Sequence, residues 1–137
     1  MHFPYVRLGG RYNFTPAHHT LLQTSVHKNG NAYILLFNNS MKRLHIEHKP
    51  VDNTTNTDAE WQGLLYGVSR AIERGDKLLA IENNHAPIMT GLMVPGTTFR
   101  GSGKSYKKEL FSMLDSFDWV GARLIDPGRN YSAVKLN

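Results

Sequence analysis

Thr55-Asn56-Thr57-Asp58-Ala59-Glu60-Trp61 opens the stretch of sequence that decides the fold. Beyond it, Trp61, Leu64, Leu65, Val68 and Ile72 recur at intervals of three and four residues until Gly75. That period lines them up on one stripe of an amphipathic helix over 58–74. Thr57 is suited to cap its start and Gly75 to end it. Thr57-x-x-Glu60 also has the spacing of a capping box, in which the glutamate reaches back to the cap N–H.

On the N-terminal side of this helix lie three short runs rich in apolar and β-favoured residues: 21–26, 32–37 and 43–48. His27-Lys28-Asn29-Gly30-Asn31 and Asn38-Asn39-Ser40 separate them. Asn-Gly and Asn-Asn-Ser are turn sequences, so the runs read as an antiparallel meander. On the C-terminal side, 77–82 is a compact strand, and a strand after a helix favours parallel pairing within a mixed sheet. A short helix over 84–93 follows, with Pro87 in its first turn. A glycine-containing loop leads to a second amphipathic helix over 105–117, carrying Tyr106, Leu110, Met113, Leu114 and Phe117. A last strand covers 119–125, and 130–136 reads as a final helical turn. Residues 1–19 are an N-terminal arm or one extra strand, and residues 20–137 form the domain.

The chain has 137 residues, one domain with enough material for a core. Its apolar and charged fractions, 40% and 20%, argue against wholesale disorder. It has no cysteine, so disulfides and thiolate metal sites are excluded. No apolar run approaches the roughly 20 residues that span a bilayer. Pro4, Arg7 and Arg11 interrupt any signal-peptide core, so the expected setting is cytoplasmic. The net charge of +5 suits a polyanionic partner.

Thr55-Asn56-x-x-Ala59-Glu60 resembles the motif that carries the second catalytic carboxylate of ribonuclease H-like proteins. Asp126-Pro127-Gly128-Arg129-Asn130-Tyr131-Ser132-Ala133-Val134 looks like that family's exit from its last strand, where an Asn stands four residues before a catalytic Asp. The element order is similar too, over roughly residues 20–137. The resemblance implies an α/β fold: a mixed five-stranded sheet, three strands antiparallel and the others parallel, flanked by helices. It also implies two divalent metals held by four carboxylates, which activate water and stabilise the leaving oxygen.

Those carboxylates are largely missing. No Asp or Glu precedes Glu47, and none follows Asp126. The first position falls near Gln23, Thr24 or Ser25, the second on Glu60, the third on Asn84 and the fourth on Val134. Glu82, two residues before Asn84, is the candidate substitute ligand. An Asn brings no charge and a Val no donor, so the set is too weak for two hard cations. With its partners gone, Glu60 is read first as a capping residue. No cofactor is expected, and magnesium enters only if the chain cleaves after all.

Thr98-Phe99-Arg100-Gly101-Ser102-Gly103-Lys104-Ser105 comes within one residue of a phosphate-binding loop. Its first Gly is Thr98 and no clear strand precedes it, so it reads as a basic loop. Arg100, Lys104, Lys107 and Lys108 attract phosphate, and Phe99 and Tyr106 are placed to stack on bases or to join the core. His45 and His48 face opposite sides of a strand, and His18-His19 is ill-suited to chelation. His85, beside Asn84, is suited to touch phosphate when protonated or to cap a helix.

These features give a catalytically inactive ribonuclease H-like domain that binds RNA, RNA–DNA hybrid or single strands through Lys28, Asn31, Asn56, Arg100, Lys104, Lys107 and Lys108. An alternative is a protein-interaction or inhibitory accessory module of a virus or mobile element on the same fold. A third reading is a metal-dependent nuclease with a reorganised site. A basic stripe over one face favours nucleic acid; scattered charge with an exposed apolar patch favours a protein partner.

Overall fold

The computed structural model describes residues 4–52 and 55–133. Its elements run β1 (Val6–Gly10), β2 (Thr20–Val26), β3 (Asn31–Phe37), β4 (Arg43–Pro50), α1 (Asn56–Arg74), β5 (Leu78–Asn83), α2 (Ala86–Met93), α3 (Ser102–Met113) and β6 (Trp119–Leu124). The strands form one sheet in the order β1-β6-β5-β2-β3-β4. β2, β3 and β4 are the antiparallel meander. β5 pairs parallel with β2, and β6 parallel with β5.

The mixed sheet expected from the sequence is therefore present, with six strands rather than five. The sixth is β1, which pairs antiparallel with β6, Val6 opposite Ala122 and Gly10 opposite Trp119. It covers an edge of β6 that would otherwise present a row of unpaired backbone groups.

α1 begins at Asn56. Its cap is Thr55, whose hydroxyl accepts the Asp58 N–H at 3.0 Å. Thr57 is thus not the cap, and Asp58, not Glu60, stands in the capping-box position. The shift turns Glu60 away from the cap and against the sheet. Gly75, at φ 82, ends the helix in the left-handed conformation that favours glycine. The apolar stripe is buried: Trp61 and Val68 are fully inaccessible. Two glycines let α1 press on the sheet. A Cβ on Gly67 would stand 2.6 Å from Leu22, and one on Gly63 would stand 3.0 Å from Ala32.

α2 has Pro87 in its first turn, as expected. α3 starts three residues earlier than expected, at Ser102, and ends at Met113, where a 3-10 turn over Leu114–Ser116 takes over. Ser102 donates its hydroxyl hydrogen to Asp58 at 2.6 Å, tying the first turns of α1 and α3 together. In place of one helical turn over 130–136 the tail makes two 3-10 turns, Pro127–Arg129 and Tyr131–Ala133. Residues 134–136 of the expected turn lie outside the described residues.

The sheet has two apolar faces. The inner one (Leu22, Ile34, Leu36, Leu79, Ile81, Val120) packs under the three helices. The outer one gathers Leu21, Leu35, Phe37, Ala80 and Trp119. The C-terminal turns cross this outer face, with Tyr131 edge-on to Phe37 at 5.9 Å. Among the described residues no helix is long and apolar enough to cross a membrane.

Candidate functional site

The carboxyl ends of β2 and β5, beside the start of α1, form the corner to which the sequence motifs point. Strand alternation decides which side chains meet there. Gln23 stands opposite Glu82 in the parallel β2–β5 register, so Thr24 stands opposite Asn83. Thr24 and Asn83 follow Leu22 and Ile81 onto the helix side. Gln23 and Glu82 follow Leu21 and Ala80 onto the outer side.

At this corner amides and hydroxyls satisfy one another. Asn83 donates through Nδ2 to the Thr24 carbonyl and hydroxyl oxygens, both at 3.0 Å, and its Oδ1 accepts the His85 N–H at 2.7 Å. Asn130 donates to the same Thr24 carbonyl at 3.0 Å and to Asn84 Oδ1 at 2.7 Å. Its own Oδ1 accepts from the Ser132 N–H at 3.1 Å. Asn83, Asn130 and Ser132 are buried. Ser25 donates to the Ser132 carbonyl at 2.6 Å, fastening the tail to β2.

Glu60 is the carboxylate of this corner. It is 9% exposed and accepts the Val26 N–H at 3.1 Å. Burial pushes its pKa up to about 7, against which the single backbone donor acts only in part. Glu82 belongs to the other face: Gln23 donates to it at 3.1 Å, Tyr5 at 2.9 Å, and Arg123 forms an ion pair with it. Asn84 lies just past the end of β5, its oxygen taken by Asn130. Val134 lies outside the described residues. Magnesium, which the resemblance implies, does not fit this donor set. One carboxylate is half-neutral near pH 7, two amide oxygens already hold donors, and the remaining acid faces away. Among the described residues no three acidic or histidine side chains are grouped to hold a metal ion. Burial also holds His85 below the usual histidine range.

The residues expected to bind nucleic acid lie in the β2–β3 turn, at the starts of β3 and α1, and on α3 and the loop before it. Lys28 is exposed in the β2–β3 turn, and Asn31 begins β3. Asn56 is the first residue of α1 and is exposed. The Glu60–Val26 and Ser102–Asp58 hydrogen bonds draw that turn, the start of α1 and the start of α3 together. Arg100, Lys104 and Lys108 are exposed. Lys107 is half-buried, donates to the Thr97 carbonyl at 3.0 Å and lies 5.4 Å over the Phe99 ring.

The expected stacking aromatics are partly buried and pack against the core. Phe99 meets Trp61 edge-on at 5.3 Å, and Tyr106 stacks on Trp61 at 6.0 Å. Phe111 is 36% exposed in a cleft of about 260 Å³ that Lys104, Lys107 and Lys108 also line. Asn83, one residue before Asn84, follows Leu79 and Ile81 onto the helix side of β5.

No protein-family profile and no curated protein matches the sequence. Solved structures match the fold. The N-terminal ribonuclease H domain of a Mycobacterium tuberculosis protein has a TM-score of 0.72 at 13% identity, covering 81% of this chain and 84% of that one. A ribonuclease H1 isolated from compost and solved with RNA/DNA hybrid gives 0.70 at 15%, covering 83% and 88%. Ribonuclease H1 from Halobacterium salinarum gives 0.67 at 15%, covering 85% and 90%. At these identities the likeness is one of fold.

Proposed function

We propose that this chain, a ribonuclease H fold, is a non-cleaving nucleic-acid-binding domain. The observation that carries the proposal is the corner of Thr24, Asn83 and Asn130, where amides and a hydroxyl satisfy one another beside the buried Glu60. Two-metal cleavage needs several charged oxygens converging on ions about 4 Å apart, and Glu60 alone does not make that set. No cofactor is needed for the activity that remains, which is binding.

The partner follows from charge and shape. Lys104 and Lys108 stand exposed in one cleft with Phe111, and Arg100, Lys28 and Asn56 are exposed as well. Lysines release condensed counterions when they neutralise phosphates, and an exposed ring offers a stacking surface that is indifferent to base identity. The compost ribonuclease H1 of the same fold was solved with an RNA/DNA hybrid, which supports a nucleic acid as the class of partner.

The test is binding to single-stranded RNA and to RNA–DNA hybrid across a salt series. The slope of log K against log salt for single strands is about −0.7 per phosphate contact, so Lys104→Ala, Lys107→Ala and Lys108→Ala together should flatten it by about two. Binding that ignores salt and these lysines refutes the reading. It would favour a protein partner instead, for which Leu44 and Ile46, 38% and 40% exposed on the edge strand β4, form an apolar surface.

A further inference from the structure

α3 divides its charge between two clefts. Lys104, Lys107 and Lys108 line the one of about 260 Å³ that the helix forms with residues 97–99, and among the described residues no acid lines it. Glu109, the one acid of α3, lines a different cleft, with Asp52. Helical periodicity is responsible. Lys104, Lys108 and Phe111 stand at i, i+4 and i+7 on one stripe, while Tyr106, Leu110 and Met113 belong to the side packed against the core.

The inner wall of the basic cleft is fixed before any ligand arrives. Phe99 is seated on Gly91 of α2, where a Cβ would stand 2.2 Å from its ring, and it meets Trp61 edge-on at 5.3 Å. Lys107 donates to the Thr97 carbonyl at 3.0 Å. Its ammonium lies 5.4 Å from the centre of the Phe99 ring and 5.8 Å from that of Phe111. That lysine is held among two rings and a carbonyl, so its charge stays in the cleft. Lys104 and Lys108 are exposed, and neither side chain has a hydrogen bond or ion pair with a described residue.

Phe111 decides which form of nucleic acid this cleft suits. A lone exposed apolar residue is ordinary. This ring, 36% exposed, instead forms part of the wall of a recess that three lysines line. Lysines on an open helix face suffice for the phosphates of a duplex. A ring within a recess adds nothing there, because the bases of a duplex are paired and stacked on one another. An unpaired base can turn out of its strand, enter the recess and lay its face on the ring. Lys104 and Lys108 are one helical turn apart, about 6 Å along the axis, so they can meet successive phosphates on either side of that base.

We propose that this cleft takes one unpaired base of a single strand, stacked on Phe111 between phosphates held at Lys104 and Lys108, and that the domain therefore prefers single strands to RNA–DNA hybrid. The inference rests on the nucleic-acid reading and narrows its partner.

The experiment is a fluorescence-anisotropy titration of the full chain with a short labelled RNA that does not pair with itself, alone and annealed to its complementary DNA. The single strand should bind more tightly than the hybrid. Phe111→Ala should weaken the single strand by about fivefold or more, and the hybrid far less. Phe111→Leu keeps apolar bulk without the ring and should weaken the single strand as well, whereas Phe111→Tyr keeps the ring and should restore it. Melting curves check each fold, and Phe111→Leu carries the comparison if Phe111→Ala unfolds. In proton NMR the Phe111 ring signals should move upfield when the strand is added, since a base face then shields them. Hybrid bound as tightly as the single strand, Phe111→Leu binding like the parent, or Phe111 ring signals that stay in place overturn the proposal. If both probes still weaken with salt in those cases, the nucleic-acid reading stands without the preference. Binding of neither probe overturns both.

Discussion

Glu60 tests whether the corner at the start of α1 is a buried polar core. Burial against β2 holds its carboxyl at a pKa of about 7 in the folded chain, whereas 4.5 is the ordinary value that applies when the chain unfolds. The folded state therefore keeps its proton more firmly. Below about pH 4.5 both states are protonated, and the full stability is present. As pH rises from there through 7, the unfolded chain loses its proton first and stability falls. At about 1.4 kcal/mol per pH unit the loss amounts to about 3 kcal/mol. Glu60→Gln keeps the shape and the acceptor for the Val26 N–H but cannot ionise. Urea unfolding, followed through the fluorescence of Trp61 and Trp119, measures both proteins at about pH 5 and about pH 8. The parent chain should lose up to about 3 kcal/mol relative to the variant between these points, and the variant should be the more stable at about pH 8. His19 and His85, held below the usual histidine range by burial, titrate in both proteins. The difference between the two proteins therefore isolates Glu60. A variant less stable than its parent at about pH 8, or with the same pH slope, refutes a desolvated carboxyl at this position.

Four further outcomes follow from the same contacts. With magnesium or manganese the purified chain should leave RNA–DNA hybrid intact; metal-dependent cleavage that Glu60→Gln abolishes would restore a nuclease reading. Trp61→Ala empties the fully buried seat under Phe99 and Tyr106 and should cost about 3–5 kcal/mol in urea unfolding. Gly67→Ala puts a methyl 2.6 Å from Leu22 and should destabilise by about 1–3 kcal/mol, visible as a lower melting temperature. Arg70 grips Glu47 with two hydrogen bonds, 2.6 and 3.0 Å, and holds that carboxyl below 4.5. Arg70→Met should therefore lower stability at neutral pH, and acid titration of unfolding should show the deficit closing as pH falls through the depressed Glu47 value.

Much of this protein is legible in local pattern. The stripe from Trp61 to Ile72 specifies α1 because its period is the helix's own, and the turn residues at Asn29-Gly30 and Asn38 to Ser40 delimit the meander. The scarcity of acids is also a plain property of the chain, and it already argues against two-metal chemistry. What the tertiary structure decided is non-local. Thr55 caps α1 in preference to Thr57, which rotates Glu60 from the cap onto the Val26 N–H. That rotation turns a surface glutamate into a buried one. The parallel register of β2 with β5 sends Asn83 to the helix side and Glu82 to the outer face, where Arg123 of β6 and Tyr5, just before β1, meet it from far away in sequence. A one-residue change of register would exchange those roles. The same assembly converts Phe99 and Tyr106 from candidate stacking surfaces into packing for Trp61, and adds β1 as a sixth strand. Local propensity fixes which segments become helix or strand. Which side chains then face each other depends on pairings between segments, and no single segment carries that information.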